Sequence, residues 1–418
     1  MNYRHRYLET KIEKYKDLFP VLLIVGARQV GKSTLLDYLL GKLVKKIIFD
    51  PTIDIENARS DPEFFLKQHP APLILDEIQY APELLAVIKR HVDNNPAPGQ
   101  YFLTGSQNLN MIKNVAESLA GRVIVLNLAT MSLVERAGLA PPLKPSWLEI
   151  ILSAKTKMPD LAALKRVEEF VKTDSIFSLL WRGGFPKTLD LANDVLPDFF
   201  KSYIQTYVER DIRVFADVHD QQIFSRFLGL CAALTAQEIN YSQLGRELGI
   251  TPQTALRWLS ILKATYQWLE IPAFSGNAIK RLAMKPKGYI TDTGMACYLQ
   301  RISSFDALGA HPLLGALFET HAVLDMHQQF TQLTTPPNCY HWRTQAGAEV
   351  DLILERDGIY WPVEIKCKTN VSKSDARGIE AFKATYPGLQ IGPGIILAAV
   401  EKPTLLTENI LILPFDLI

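Results

Sequence analysis

The sequence is poor in cysteine, with four in 418 residues (Cys231, Cys297, Cys339 and Cys367) and no paired spacing among them. That argues against a disulfide framework or a structural zinc site, and fits a reducing compartment. Neither sign of charge prevails: 45 Lys and Arg stand against 44 Asp and Glu, a net +1. No global field therefore draws a polyanion, and any nucleic-acid surface must be a local patch. No apolar run approaches the length of a membrane span, and the charged start lacks an apolar signal core. A cytoplasmic protein without a membrane partner is expected. Repeats, low-complexity tracts and long charge runs are also missing.

What remains is an ordinary globular composition, 48% hydrophobic and 21% charged, in a chain too long for one core. The expected fold class is α/β. Short apolar strands alternate with helical segments over the first 130 residues, the pattern of a parallel sheet. The strands read as Val21–Val25, Lys46–Phe49, Leu73–Leu75, Tyr101–Thr104 and Val123–Leu126. A Pro- and Lys-containing stretch, Pro141-Pro142-Leu143-Lys144-Pro145, breaks that rhythm. Helical periodicity then dominates from Ile176 to Trp268, and mixed helix and strand return after Pro312, ending in an apolar strand, Ile410–Pro414. The division expected is a parallel α/β core over 1–135, a helical lid or linker over 136–235, a further helical domain over 236–300 and a C-terminal α/β domain over 301–418.

Gly26-Ala27-Arg28-Gln29-Val30-Gly31-Lys32-Ser33 lies between the first strand and a helix from Ser33 to Leu40. A glycine-rich loop there turns successive backbone N–H groups toward phosphate oxygens, and the helix N-terminus favours anions. Lys32 would reach the β- and γ-phosphates of ATP, and the Ser33 hydroxyl would ligate Mg²⁺, with Thr34 following in the same motif. Asp76, at the end of Leu73-Ile74-Leu75, would complete the Mg²⁺ site, and Glu77 would orient or deprotonate the attacking water. The strand Lys46–Phe49 intervenes between the phosphate-loop strand and the acidic one, the arrangement of additional-strand ATPases. At the end of the next strand Ser106 is preferred to Thr104 as a γ-phosphate sensor, although either reads equally as a turn residue. Arg122, in Leu119-Ala120-Gly121-Arg122, has two readings. It is an arginine finger acting on a neighbouring subunit of a homo-oligomer, or a cation at a helix C-terminus capped by Gly121.

Tyr241–Ile250 reads as a short amphipathic helix ending at Gly249. Thr251 then suits an N-cap and Pro252 the first position of a second helix. Helix, glycine turn, helix is the helix-turn-helix pattern, with the segment through Arg281 as a wing. Gln253, Thr254 and Arg257 would point toward a nucleic-acid groove, though such folds also serve as protein-interaction modules. Tyr207–Ile212 reads as a charged helical segment. Further on, Glu349–Arg356, Asp357-Gly358 and Ile359–Lys366 read as a β-hairpin, because Asp-Gly is a strong two-residue turn. That turn sets Asp351 opposite Glu364 and Glu349 opposite Lys366. Opposed carboxylates repel unless a cation lies between them, and Mg²⁺ is the occupant expected, with Glu319 as a further acid. Lys366, on the face of Glu364, would activate water or stabilise phosphate charge. The alternative is an exposed charged face beside an apolar one.

Taken together, Gly26–Leu36, Leu73–Gln79, Leu103–Gln107, Leu119–Arg122, Tyr207–Ile212, Gly249–Ala255 and the Glu349–Asp351 and Glu364–Lys366 pair resemble a prokaryotic family. It is that of AAA+-type ATPases with a C-terminal domain of uncharacterised function, and the resemblance covers nearly the whole chain. It implies an AAA+ core, a winged helix and a restriction-endonuclease-like domain of the PD-(D/E)xK type. In that domain Asp351, Glu364 and Lys366 would form a nuclease triad with Glu319 upstream. Val350 departs from the pattern, standing where such nucleases often have proline. The expectation is an ATPase acting on DNA with a Mg²⁺-dependent nuclease-like tail. The alternative is an ATP-dependent switch that binds DNA or a protein partner without cutting.

Overall fold

The structure, a computed structural model, describes residues 3–50, 55–106, 115, 119–139, 145–167, 175–208 and 221–418. The expected segments Pro141–Lys144 and Glu209–Ile212 lie outside these residues. The chain forms two compact units: Met1–Met131 with Phe185–Lys187 and Ile261–Gln267, and the remainder.

In the first unit β1 (Val21–Val25), β2 (Lys45–Ile48), β3 (Leu73–Asp76), β4 (Tyr101–Gly105) and β5 (Val123–Asn127) form one sheet in the order β2-β3-β4-β1-β5. Every pairing in it is parallel. The central strands are near-continuous apolar runs because a parallel sheet is covered on both faces, and β1, β3 and β4 are buried along their whole length. Val21, Leu23, Leu75 and Leu103 from the strands pack with Leu84, Val87 and Ile88 of α2 (Leu84–Asn94) in one core. Each such side chain contributes about 1.5–3 kcal/mol by leaving water. The order corrects one expectation. The strand that physically separates the phosphate-loop strand from the acidic strand is β4, whereas β2 lies at the sheet edge beside β3. α1 (Lys32–Leu40) starts directly after Gly31, which sits at φ 97°, and buries Leu35, Leu36 and Leu40.

In the second unit α3 (Tyr241–Leu248) ends at Gly249, φ 69°, and α4 (Pro252–Ala264) follows, its residues from Ile261 on being counted with the first unit. The Thr251 hydroxyl caps α4 by accepting from the Thr254 N–H at 3.1 Å. Beside this pair in sequence lies a three-stranded antiparallel sheet, β6 (Gln237–Glu238), β8 (Lys287–Ile290) and β7 (Trp268–Ile271), in the order β6-β8-β7. In the segment through Arg281, β7 and β8 pair antiparallel and their connection carries a short helix, Ala278–Ala283.

The C-terminal part is a seven-stranded mixed sheet, β14-β15-β13-β11-β10-β9 with β12 beside β11. Its strands are β9 (Asn338–Arg343), β10 (Glu349–Arg356), β11 (Ile359–Lys366), β12 (Gln390–Ile391), β13 (Gly394–Ala398), β14 (Thr404–Thr407) and β15 (Ile410–Pro414). The hairpin register matches the one set by Asp-Gly, with pairs from Leu352↔Val363 to Arg356↔Ile359. Asp357 and Gly358 both have positive φ, 56° and 76°, as a two-residue turn of this twist demands. The hairpin lies inside the sheet, between β9 and β13, and both its faces are buried over most of its length. No exposed charged face results.

Helices α5 (Leu314–Phe330) and α6 (Arg377–Thr385) belong to this part. Gly378 seats α6 against the hairpin: a Cβ there would overlap the Glu349 carbonyl and the Glu364 carboxylate. Gly378→Ala should therefore destabilise the second unit by about 1–3 kcal/mol, the usual cost of overpacking. Urea unfolding followed by circular dichroism checks this, and a wild-type midpoint would contradict the close seating of α6.

Candidate nucleotide site and C-terminal carboxylate cluster

The loop from Gly26 to Ser33 takes the backbone conformation a phosphate nest needs. Gly26, Gln29 and Gly31 all have positive φ, and a Cβ at Gly26 would overlap the Leu128 carbonyl oxygen. Ala27 and Val30 turn their side chains into the core, so these positions offer a ligand only their backbone. Lys32 is 4% exposed, and its ammonium donates to the Gly26 and Ala27 carbonyls at 3.0 and 2.8 Å. Those oxygens stand where phosphate oxygens would compete for the same protons. Arg28 donates to the Tyr80 hydroxyl at 3.3 Å, and Thr34 is exposed on the first turn of α1. Arg6, which nothing in the local sequence singles out, braces the loop by donating to the Val30 carbonyl at 2.7 Å and to the Ala129 carbonyl at 2.7 Å.

Asp76 is the hub of the site. It accepts from Ser33 Oγ at 2.8 Å and from the Thr104 hydroxyl, and Lys46 Nζ lies 3.3 Å away. Lys46 also bonds Asp37 at 2.8 Å. Burial disfavours the Lys46 charge, but Asp37 and Asp76 outweigh it and raise its pKa. A hydroxyl beside a carboxylate, both oxygen donors, fits Mg²⁺, which takes one or two protein ligands and completes its shell with water and phosphate.

Glu77 has φ 58°, a left-handed conformation uncommon for a non-glycine residue, and its N–H donates to Thr104 Oγ1 at 3.0 Å. Its carboxylate accepts from the Gln79 amide and from Ser106 Oγ, the latter at 3.3 Å. Gln79 also reaches Ser106 at 3.2 Å, and its carbonyl oxygen is buried without a partner among the described residues. The two sensor candidates divide the work: Thr104 touches Asp76, and Ser106 touches Glu77 and Gln79. Gln79 and Lys46 escaped the sequence reading, because only the β3–β4 neighbourhood gives them a role.

Arg122 immediately precedes β5, at the end of the parallel strands opposite the phosphate loop. It pairs with Asp93 and donates to the Ala120 carbonyl at 2.8 Å. That position is remote from the chain's own nucleotide site.

The C-terminal acids do come together, but around lysines. Asp351, Glu364 and Glu319 are 5, 4 and 9% exposed. Lys366 Nζ bridges Glu364 at 2.6 Å and Asp351 at 3.3 Å. Lys287, from β8, contacts Glu319 at 2.7 Å, Glu349 at 2.9 Å and Asp351 at 3.2 Å. Glu349 pairs with Lys287 and Arg343 rather than with Lys366. Tyr289 donates to Glu319 at 2.8 Å, and the Ile365 N–H donates to Asp351 at 2.9 Å. Burial, reinforced by the charge of Asp351, pushes Glu319 up to about 8 and Glu364 up to about 9. Asp351 is buried as well, yet Lys287 and Lys366 hold it down at about 2. For Lys287, burial is outweighed by Tyr289, Glu319, Asp351 and Glu349, and its pKa is raised. Among the described residues no group of three or more His, Cys, Asp or Glu side chains is arranged to hold a metal ion. The cation expected between Asp351 and Glu364 is an ammonium, and Asp351, Glu364 and Glu319 do not fit Mg²⁺ in this arrangement.

Residues 18–137 match the family model of the AAA domain. With the parallel sheet and phosphate loop, this defines the first unit as carrying an AAA-type P-loop ATPase domain. Further along, residues 173–306 and 314–418 match two domains of unknown function, DUF8612 and DUF4143. The uncharacterized proteins Rv2008c of Mycobacterium tuberculosis and Mb2031c of Mycobacterium bovis are each 28% identical over 400 residues, covering 95% of this chain and 80% of theirs. Among solved structures, the Walker-type ATPase PABY2304 of Pyrococcus abyssi is 17% identical with a TM-score of 0.40, covering 70% of this chain and 94% of that one. The RuvB Holliday junction branch migration motor of Thermotoga maritima is 16% identical with a TM-score of 0.31, covering 67% and 95%. Among the described residues no helix is long and apolar enough to cross a membrane.

The raised acids have a pH consequence. Glu319 and Glu364 move from an ordinary 4.5 to about 8 and about 9 on folding. Above 4.5 the unfolded chain has released protons that the native chain keeps, so their stabilising contribution is complete below that value and lost as pH rises through 8 to 9. Urea-unfolding stability should thus decline from about pH 5 to about pH 9, and Glu364→Gln should flatten the decline. An unchanged slope in that variant would remove Glu364 as its source.

Proposed function

We propose that this protein is an ATP-hydrolysing switch of the AAA type that acts on DNA, its nucleotide state governing DNA binding by the C-terminal half. The observation that carries the ATPase part is the chain of contacts Ser33–Asp76–Thr104 and Glu77–Gln79–Ser106 beside the phosphate nest. Bound Mg²⁺ would supply charge neutralisation for the β- and γ-phosphates, held by Ser33 and Asp76. Lys32 exchanges the Gly26 and Ala27 carbonyls for phosphate oxygens. Glu77 accepts the proton of the attacking water, and Gln79 and Ser106 fix the carboxylate that does so. The unpartnered Gln79 carbonyl oxygen is a second acceptor for that water. Arg122, half-buried and far from its own loop, suits a finger reaching a neighbouring copy in a homo-oligomer.

The DNA part rests on the helix–glycine–helix segment, read as a winged helix with Gln253 and Arg257 exposed on α4. The mixed C-terminal sheet is read as restriction-endonuclease-like. Its lysine-filled carboxylates favour binding without Mg²⁺-dependent cleavage over a nuclease, and a protein partner in place of DNA is the competing form of the same switch.

Lys32→Ala should abolish ATP turnover with an unchanged circular dichroism spectrum. Gln79→Ala should lower kcat on the order of 10²-fold while nucleotide affinity, measured by calorimetry, stays within about twofold of wild type. Normal turnover in either variant would reject its assigned role. Arg257→Ala should weaken binding of a fluorescent duplex by roughly tenfold at low salt. Absence of any ATP-sensitive duplex binding by the wild-type protein would favour a protein partner instead.

A further inference from the structure

Lys287 is a strange residue to find where it is. It is 2% exposed, on the central strand of a three-stranded sheet, and strands on both sides hold its backbone. Its ammonium has three N–H donors and meets three carboxylates, Glu319 of α5 and Glu349 and Asp351 of β10, at 2.7, 2.9 and 3.2 Å. Tyr289, two residues on and so on the same face of β8, donates to the same Glu319. Lys366 closes the other side of Asp351 and Glu364.

We propose that Lys287 is the resident cation of this cluster, standing where a divalent metal would stand and excluding one. The match of three donors to three acid groups leaves the ammonium no unused proton, and a metal ion entering among Glu319, Glu349 and Asp351 would have to expel it. Expulsion is opposed twice. The strand cannot swing away without breaking its pairing with β6 and β7, and a buried ammonium stripped of its carboxylates costs several kcal/mol. Lys366 differs, with a side chain 32% exposed at the end of its strand, and is free to adjust. Lys287 therefore also ties β8, the strand that follows the helix-turn-helix, to β10 and α5 of the C-terminal sheet. The binding-without-cleavage form of the function above gains its physical reason from this tie, but the proposal itself concerns only metal and lysine.

The test is Mn²⁺ titration of the full-length chain without nucleotide, with free Mn²⁺ read by electron paramagnetic resonance. Wild type and the double variant Asp351→Asn/Glu364→Gln should bind Mn²⁺ equally, because the cluster contributes no site. Lys287→Ala should gain a Mn²⁺ site that is lost again when Asp351→Asn is added. A wild-type Mn²⁺ site that disappears in the double variant would overturn the proposal. A folded Lys287→Ala chain that gains no site would overturn it too, since the lysine would not be what keeps metal out. Should Lys287→Ala fail to fold by circular dichroism, the comparison of wild type with the double variant decides alone. None of these readouts involves ATP or DNA, so the proposal and the assigned function fail independently.

Discussion

The nucleotide site depends on one buried carboxylate, Asp76, and on the strand order that surrounds it. A charged group 3% exposed is tolerated only when its oxygens are occupied, and three elements supply the partners. Ser33 comes from the first turn of α1, Thr104 from β4 and Lys46 from β2. Inserting β4 between β1 and β3 is what brings a hydroxyl-bearing strand alongside the acidic one. The same insertion sets Ser106 beside Glu77 and Gln79, so the contacts around Asp76 and those around Glu77 descend from one topological choice.

The second unit meets the same problem with a different solution. Its acids are gathered from α5, β10 and β11 and would repel one another in a dry interior. Two internal ammoniums answer that repulsion, and two of the acids take up protons far more readily than free carboxylates do. In the first unit the buried acid keeps two hydroxyl partners beside a single ammonium, that of Lys46. In the second it is sealed by cations that belong to the chain.

Much of this was legible in the sequence, and the reason differs by element. The five parallel strands were located to within a residue, and β1, β3 and β4 stand out most because fully buried strands write themselves as short apolar runs. The hairpin register followed from Asp357-Gly358, where backbone chirality leaves little choice. Asp76 and Glu77 stood out because an acidic pair after a buried strand has meaning once a phosphate loop precedes it. Lys287 stayed hidden: it contacts Asp351 from 64 residues away, and Lys287-Gly288-Tyr289-Ile290 carries no local sign that its lysine is buried. The position of β4 was equally invisible, since chain order alone made β2 look like the intervening strand. Pairwise contacts across long separations, unlike periodicity and turn chemistry, leave no trace in a single sequence.

The edge strand β2 carries a consequence of its own. It ends the parallel sheet with half its length open to water, Ile48 is 60% exposed, and its first two residues are Lys45 and Lys46. An open rim of backbone donors and acceptors invites a foreign strand to dock, and lysine is a standard deterrent because an incoming chain would have to desolvate it. Here Lys46 is bound to Asp76 on one side and borders solvent on the other, so the lysine that guards the edge also holds the acidic hub. Acetylation of that single amine would loosen the acidic hub and, in the same stroke, lower the barrier to strand-swapped aggregates.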